Sequence, residues 1–307
     1  MNALRQALGD YLVVRRALGF KLAGDDTVLN SFVDYLEGRG LATITTEAAI
    51  AWACLPVDAT PGHWAGRLST ARGFATWMSS LDPVTQIPPL RMFPARRRAE
   101  PVVCTPAQVA AIVEAARPAV ASLPAATYHA VIGLIAVTGM RLGEACGLDD
   151  TDFDRAEGLV TIRAAKFGKS RQLPLHPGAV DALVVYTDVR DTLFPQRSTP
   201  ALFVSGVGRR VTTNKVEEAW HGVVERAGAR RAHDGRAPRV HDLRHSFAVN
   251  TLRRWHAERL DVEARLPLLS TYLGHVNPAA TYWYLTATPD LLAAAADRLE
   301  QNTGGRR

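Results

Sequence analysis

Thr138-Gly139-Met140-Arg141-Leu142-Gly143-Glu144-Ala145-Cys146-Gly147-Leu148 is the stretch where this 307-residue chain changes texture. Before it, Pro118 to Met140 contains no Asp, Glu, Lys or Arg. Pro124 breaks that run, and the apolar piece that remains, Tyr128 to Val137, is too short to span a bilayer, so it reads as a buried core helix. After it, Leu159-Val160-Thr161-Ile162-Arg163 reads as a strand, Lys166-Phe167-Gly168-Lys169 as a turn, and Arg171-Gln172-Leu173-Pro174-Leu175 as the returning strand. Gly139 permits a sharp turn into a helix whose first turn holds Arg141. A helix N-terminus attracts anions, so the dipole does not explain a guanidinium there; arginine and helix-end amides together suit one phosphate. Glu144 lies three positions on and is placed to orient Arg141, although a surface salt bridge has the same spacing.

Towards the C-terminus, helical periodicity covers Pro177 to Tyr186, Thr213 to Ala227, and His241 to Trp255. An alanine-rich helix is predicted at Leu291 to Leu299. Upstream, Thr105 reads as an N-cap with Pro106 at the first helical position. Further back, Leu4, Leu8 and Leu12 open one helical stripe, and Val28, Leu29, Phe32, Val33 and Leu36 form another. A capped helix start is predicted at Thr46, and another helix over His63 to Ser80 anchored by Trp64, Leu68, Phe74 and Trp77. Between the two regions lie Asp82-Pro83, Pro88-Pro89, Pro94, Arg96-Arg97-Arg98 and Pro101. Prolines cannot continue a helix, so this is a linker. The expected fold is mainly α with a small antiparallel β-hairpin: a helical unit over 1–85, a basic Pro-rich linker over 86–104, and an α+β unit over 105–307.

The net charge of +6 suits a polyanionic partner without requiring one. Arg96, Arg97 and Arg98, between two folded units, are expected to contact a DNA backbone. The three cysteines, Cys54, Cys104 and Cys146, are far apart, which argues against a zinc knuckle or disulfide framework and points to a reducing cytoplasm. The N-terminus reaches Asp10 without a continuous apolar core and does not read as a signal peptide.

Four more groups complete the chemistry. Lys166 lies in the predicted turn, with Lys169 and Arg171 beside it; an ammonium there can protonate a leaving alkoxide, although a solvated basic tip reads the same. In His241-Asp242-Leu243-Arg244-His245, His241 and Arg244 share a helix face. His241 and His245 have metal-ligand spacing, but the adjacent arginine opposes a dication and suits a phosphate. Leu273-Gly274-His275 reads as a turn bearing an imidazole, and Tyr282-Trp283-Tyr284 as an aromatic cluster. A core histidine and core aromatics fit those two equally well. A phenol can also be a nucleophile that stores phosphodiester energy in a covalent link, provided cations stabilise the transition state.

In order and local sequence, these segments resemble the tyrosine recombinase, or phage integrase, family. The family pattern is Thr-Gly-apolar-Arg-x-x-Glu-x-x-x-Leu, a hairpin lysine, His-x-Leu-Arg-His-x-x-Ala, Leu-Gly-His, and a tyrosine about nine residues later. This chain has Thr138 to Leu148, Lys166, His241 to Ala248, Leu273 to His275, and Tyr284. The resemblance selects Lys166 over Lys169 and Tyr284 over Tyr282. It implies that Arg141 and Arg244 clamp the scissile phosphate, Tyr284 attacks it to leave a 3′-phosphotyrosyl link, and Lys166 protonates the departing 5′-oxygen. His241 would assist proton transfer at the tyrosine, His275 would hydrogen-bond the phosphate, and Glu144 would support the pocket. Lys169 and Arg171 join the linker arginines as expected DNA contacts.

No metal, ATP or other cofactor is implied. The partners implied are a double-stranded recombination site and a homotetramer exchanging C-terminal helices, with companion recombinases left open. A cytoplasmic, nucleoid-associated site-specific recombinase serving a mobile element or phage follows. The rival readings are a type IB topoisomerase and a non-catalytic DNA-binding regulator. The segment Arg254 to Thr271 is longer than the family's connection, and Leu266-Pro267-Leu268-Leu269 reads as an added contact surface.

Overall fold

The computed structural model describes residues 3–20, 22, 24–94, 100–117, 122–163, 170–231, 234–275, 277 and 279–286. The chain divides into two compact units, Met1–Ala99 and Glu100–Arg307. The first contains α1 (Ala3–Ala17), α2 (Asp25–Gly38), α3 (Thr46–Ala53) and α4 (Pro61–Met78). The predicted apolar stripes supply its core, where Leu8, Leu29, Phe32, Trp52, Leu68 and Phe74 are buried together. Trp64 and Trp77, expected as anchors, are only partly covered. The cap of α3 is Thr45, one residue before the expected start: its hydroxyl accepts the Ala48 N–H at 3.1 Å.

Residues 86–94 pack on the first unit, where Arg72 donates to the carbonyls of Pro88 and Pro89, both at 2.7 Å. Proline lacks an N–H but keeps its acceptor, so a Pro-Pro pair can still be fastened by a side chain. Glu100 and Cys104 belong to the second unit, where the Cys104 N–H donates to Ser246 Oγ at 2.8 Å. Arg96, Arg97 and Arg98 lie outside the described residues.

The second unit runs α5 (Pro106–Ala115), α6 (Leu123–Thr138), α7 (Leu142–Gly147), β1 (Phe153–Asp154), β2 (Leu159–Ile162), β3 (Arg171–Pro174), α8 (Pro177–Leu193), α9 (Thr213–Ala227), α10 (Val240–Ala257), α11 (Val262–Leu273) and α12 (Ala279–Thr286). Thr105 and Gln108 form a reciprocal capping box at α5, with Pro106 in the first turn. The strands form an antiparallel sheet in the order β1-β2-β3, with Val160 opposite Leu173. Val160, Ile162 and Leu173 face the core.

Helix α6 buries Val131, Ile132, Leu134 and Ile135, as its lack of charge predicts. No helix among the described residues is long and apolar enough to cross a membrane. The segment expected to be an added contact surface is a core helix instead. Leu266, Leu269 and Leu273 of α11 are buried with Leu252 and Tyr284, whereas Pro267 and Leu268 are exposed. Leu266, Leu269 and Leu273 recur at helical spacing, which puts all three on one face. The turn at 166–169 and the predicted helix at 291–299 lie outside the described residues.

Candidate active site

Arg141 is the N-cap of α7, with extended backbone. Glu144 reaches back to it twice: Oε2 accepts the Arg141 N–H at 2.9 Å, and Oε1 accepts from Arg141 Nη1 at 2.7 Å. The chain reaches this point through Gly139, which adopts φ +63°. A Cβ at Gly139 would lie 2.6 Å from the Phe247 ring. Only glycine satisfies both the left-handed backbone and the close approach of α10.

Arg244, on α10, is almost completely buried. Its Nη1 donates to the Gly139 carbonyl at 2.8 Å and its Nη2 to the Leu273 carbonyl at 2.7 Å. The start of α10 is fixed by Asp242, fully buried, which accepts the Arg239 N–H at 2.9 Å and a bond from the Arg239 guanidinium at 3.0 Å.

Three guanidiniums meet at the end of α11. Arg171 Nε donates to the Tyr272 carbonyl at 2.8 Å, Arg244 to Leu273, and Arg141 Nη2 to Gly274 at 3.1 Å. The last carbonyls of a helix lack backbone partners and carry its negative dipole end, so cations are stabilised there. Arg171, expected to contact DNA, is largely enclosed. Its side chain is 11% exposed, and its η-nitrogens bind both Glu144 oxygens, at 2.8 and 3.2 Å. It emerges from β3 towards the core, and a carboxylate waits there.

His275 follows this turn. Its Nδ1 lies 2.7 Å from Thr281 Oγ1, and its ring stacks on Tyr284 with centroids 6.1 Å apart. Tyr284 is buried, whereas Tyr282, two residues away on α12, is half exposed. The Tyr284 hydroxyl lies 3.1 Å from His245 Nδ1. The imidazole bonded to the tyrosine is thus His245, and His241, expected to assist proton transfer there, meets His245 edge to face at 4.7 Å. His245 lies one helical turn beyond His241 within the quoted motif, and that spacing was the available signal.

The charges are interdependent. Burial alone would raise the Glu144 carboxyl, but the Arg171 hydrogen bonds and the Arg141 N–H outweigh it, and its pKa is lowered. Burial, then repulsion by Arg141, brings Arg244 down to about 10. A phosphate dianion or diester between the two guanidiniums would relieve that repulsion. The His241 ring is open to solvent on one side, yet desolvation by its neighbours and then the Arg244 guanidinium hold it below the ordinary histidine value. Five of the six candidate catalytic residues, Arg141, His241, Arg244, His275 and Tyr284, share this one neighbourhood through these contacts. Lys166 and Lys169 lie outside the described residues.

The sequence model of the phage integrase family matches residues 103–290. The chain is 42% identical over 310 residues to the proposed integrase/recombinase y4rB of Sinorhizobium fredii (strain NBRC 101917 / NGR234), covering 98% of each. It is 30% identical over 316 residues to the tyrosine recombinase XerC of Mycobacterium bovis (strain BCG / Pasteur 1173P2), covering 97% of this chain and 98% of that one. Its fold is similar to that of the Tn1549 transposon integrase in complex with transposon right end DNA, with TM-score 0.64 at 17% identity, over 97% of this chain and 99% of the other. The chain belongs to the phage integrase family, the tyrosine recombinases that cut and rejoin DNA.

Proposed function

We propose that this protein recombines DNA at a specific site through a 3′-phosphotyrosyl intermediate formed by Tyr284. Arg141 and Arg244 bind the non-bridging oxygens of the scissile phosphate. The phenolate oxygen of Tyr284 attacks phosphorus, and the bond to the 5′-oxygen breaks. Lys166 protonates that oxygen as it leaves. His241 assists removal of the phenolic proton, and His275 donates to the phosphate. The link conserves the energy of the broken bond, so no ATP is consumed, and a 5′-hydroxyl from a partner duplex reverses the step.

The observation that carries this reading is the convergence of Arg141, Arg244 and the Gly274-His275 turn at the C-terminal end of α11, with Tyr284 stacked on His275. Two cations held by carbonyls, with a phenol beside them, form a phosphate site with its own nucleophile. Arg96, Arg97, Arg98 and Lys169 contact the DNA backbone, and the helical unit before them binds the same duplex. The assembly on DNA is a homotetramer exchanging the 291–299 helix, in the bacterial cytoplasm, with integration or excision of a mobile element as its task. The DNA-bound Tn1549 integrase, whose fold this chain is similar to, supports the choice of substrate.

The test is a nicked suicide duplex carrying the element-end sequence. Wild-type protein is expected to become covalently attached to the 3′-phosphate side. Absence of an adduct on every element-end duplex rejects the reading.

A further inference from the structure

We infer that Arg171 is a positioning residue of the cleavage reaction, one that keeps Arg141 available to phosphate by supplying Glu144 with a second cation. The inference rests on the phosphate-site reading above and adds to it. Glu144 is almost buried and needs compensation for its charge. It obtains that from two guanidiniums: Oε1 is shared by Arg141 at 2.7 Å and Arg171 at 3.2 Å, and Oε2 by the Arg141 N–H at 2.9 Å and Arg171 at 2.8 Å. The trio therefore carries one surplus positive charge. Arg171 is the more enclosed partner, at 11% exposure against 33% for Arg141, so it is the one committed to the carboxylate.

Arg171 also binds the Tyr272 carbonyl, and its guanidinium packs against Gly274, where a Cβ would come within 2.5 Å of Nη1. One side chain thus ties β3, the start of α7 and the turn before His275 together. Without the Arg171 charge, Arg141 and Glu144 become a neutral pair, and a phosphate must compete with the carboxylate for Arg141.

Single-turnover cleavage of the suicide duplex, together with DNA affinity, tests this. Arg171→Met is expected to slow cleavage by at least about tenfold while DNA affinity changes by no more than about twofold, because the defect lies in charge at the reacting phosphate. Adding Glu144→Gln to Arg171→Met restores the surplus charge and is expected to recover much of the rate. A purely structural role predicts the opposite, since a second polar loss in the same cluster would slow the enzyme further. Arg171→Met cleaving at the wild-type rate, or the double variant cleaving no faster than Arg171→Met, overturns the inference.

If Arg171→Met does not fold, Arg171→Lys, which keeps the charge, decides: a loss of about threefold or less supports the inference and about tenfold or more rejects it. Wild type run in parallel separates the two levels. A wild type without adduct removes the phosphate-site reading itself, whereas a cleaving wild type with an equally fast Arg171→Met removes only the role of Arg171.

Discussion

The hydroxyl of Tyr284 lies 3.1 Å from Nδ1 of His245, inside a core cluster that also holds Leu266, Leu269 and Leu273. The nucleophile of the proposed reaction is therefore enclosed in this conformation. His245→Phe keeps a ring in that space and removes the hydrogen bond, an expected loss of about 1 kcal/mol in urea unfolding. In a double-mutant cycle with Tyr284→Phe the two losses should not add, because both delete one bond. Full additivity would show that the pair is not coupled.

Tyr284 and Tyr282 are separated by the same geometry. One is buried against two imidazoles, the other half exposed. Tyr284→Phe should abolish the covalent adduct on a suicide duplex, and Tyr282→Phe should retain it. The reverse pattern on a denaturing gel would transfer the nucleophile to Tyr282.

His241 is held below its ordinary value of 6.5, by desolvation first and by Arg244 second. A base works in its neutral form, so the acidic decline in cleavage should be centred below 6.5. The sign is the same for stability: a depressed histidine resists protonation in the folded state, so it destabilises the fold as pH falls through its unfolded value. His241→Gln should remove the acidic decline from a rate profile of single-turnover cleavage. An acidic limb centred above 6.5 would contradict the role.

Three glycines with positive φ should respond differently to alanine. At Gly139 a Cβ meets Phe247, and at Gly274 it meets Arg171, whereas at Gly228 nothing lies within 4 Å. Backbone strain alone costs about 1 kcal/mol, and forced overlap adds roughly 1–3 kcal/mol. Chemical denaturation should therefore place Gly228→Ala clearly above Gly139→Ala and Gly274→Ala in stability. Equal losses at all three would mean that the close contacts relax without cost.

The placement of α11 in the core makes a further contrast. Leu269 is buried and Leu268 is 66% exposed. Leu269→Ala should cost about 2–5 kcal/mol by the same measurement, and Leu268→Ala less than about 0.5 kcal/mol. Similar small effects at both positions would favour an outer contact surface.

Much of the local architecture was legible before any coordinates. Thr105, Pro106 and Gln108 announce a helix start because capping is settled within four residues. The β2-β3 hairpin and the uncharged α6 follow from alternation and from the absence of charge. Arg171 is ambiguous in sequence because its neighbours Lys166 and Lys169 suggest an outer surface, while its face of the strand looks inward. The Leu266 to Leu269 segment is ambiguous in sequence because a run of leucines is apolar whether it meets the core or a partner. The bond between His245 and Tyr284 is not legible in sequence because the partners lie 39 residues apart.

By itself, the sequence determined the family, most of the helices with the β2-β3 pair, and the kinds of side chain gathered in the candidate site, since each depends on residue type and short spacing. Tertiary structure alone decided that Glu144 answers to two arginines, that His245 holds the tyrosine, and that the end of α11 gathers three guanidiniums. Those bonds join residues 27, 39, 101 and 133 positions apart. Periodicity and capping carry no information over such separations, and only the packing together of β3, α7, α10 and α11 brings the partners within hydrogen-bond reach.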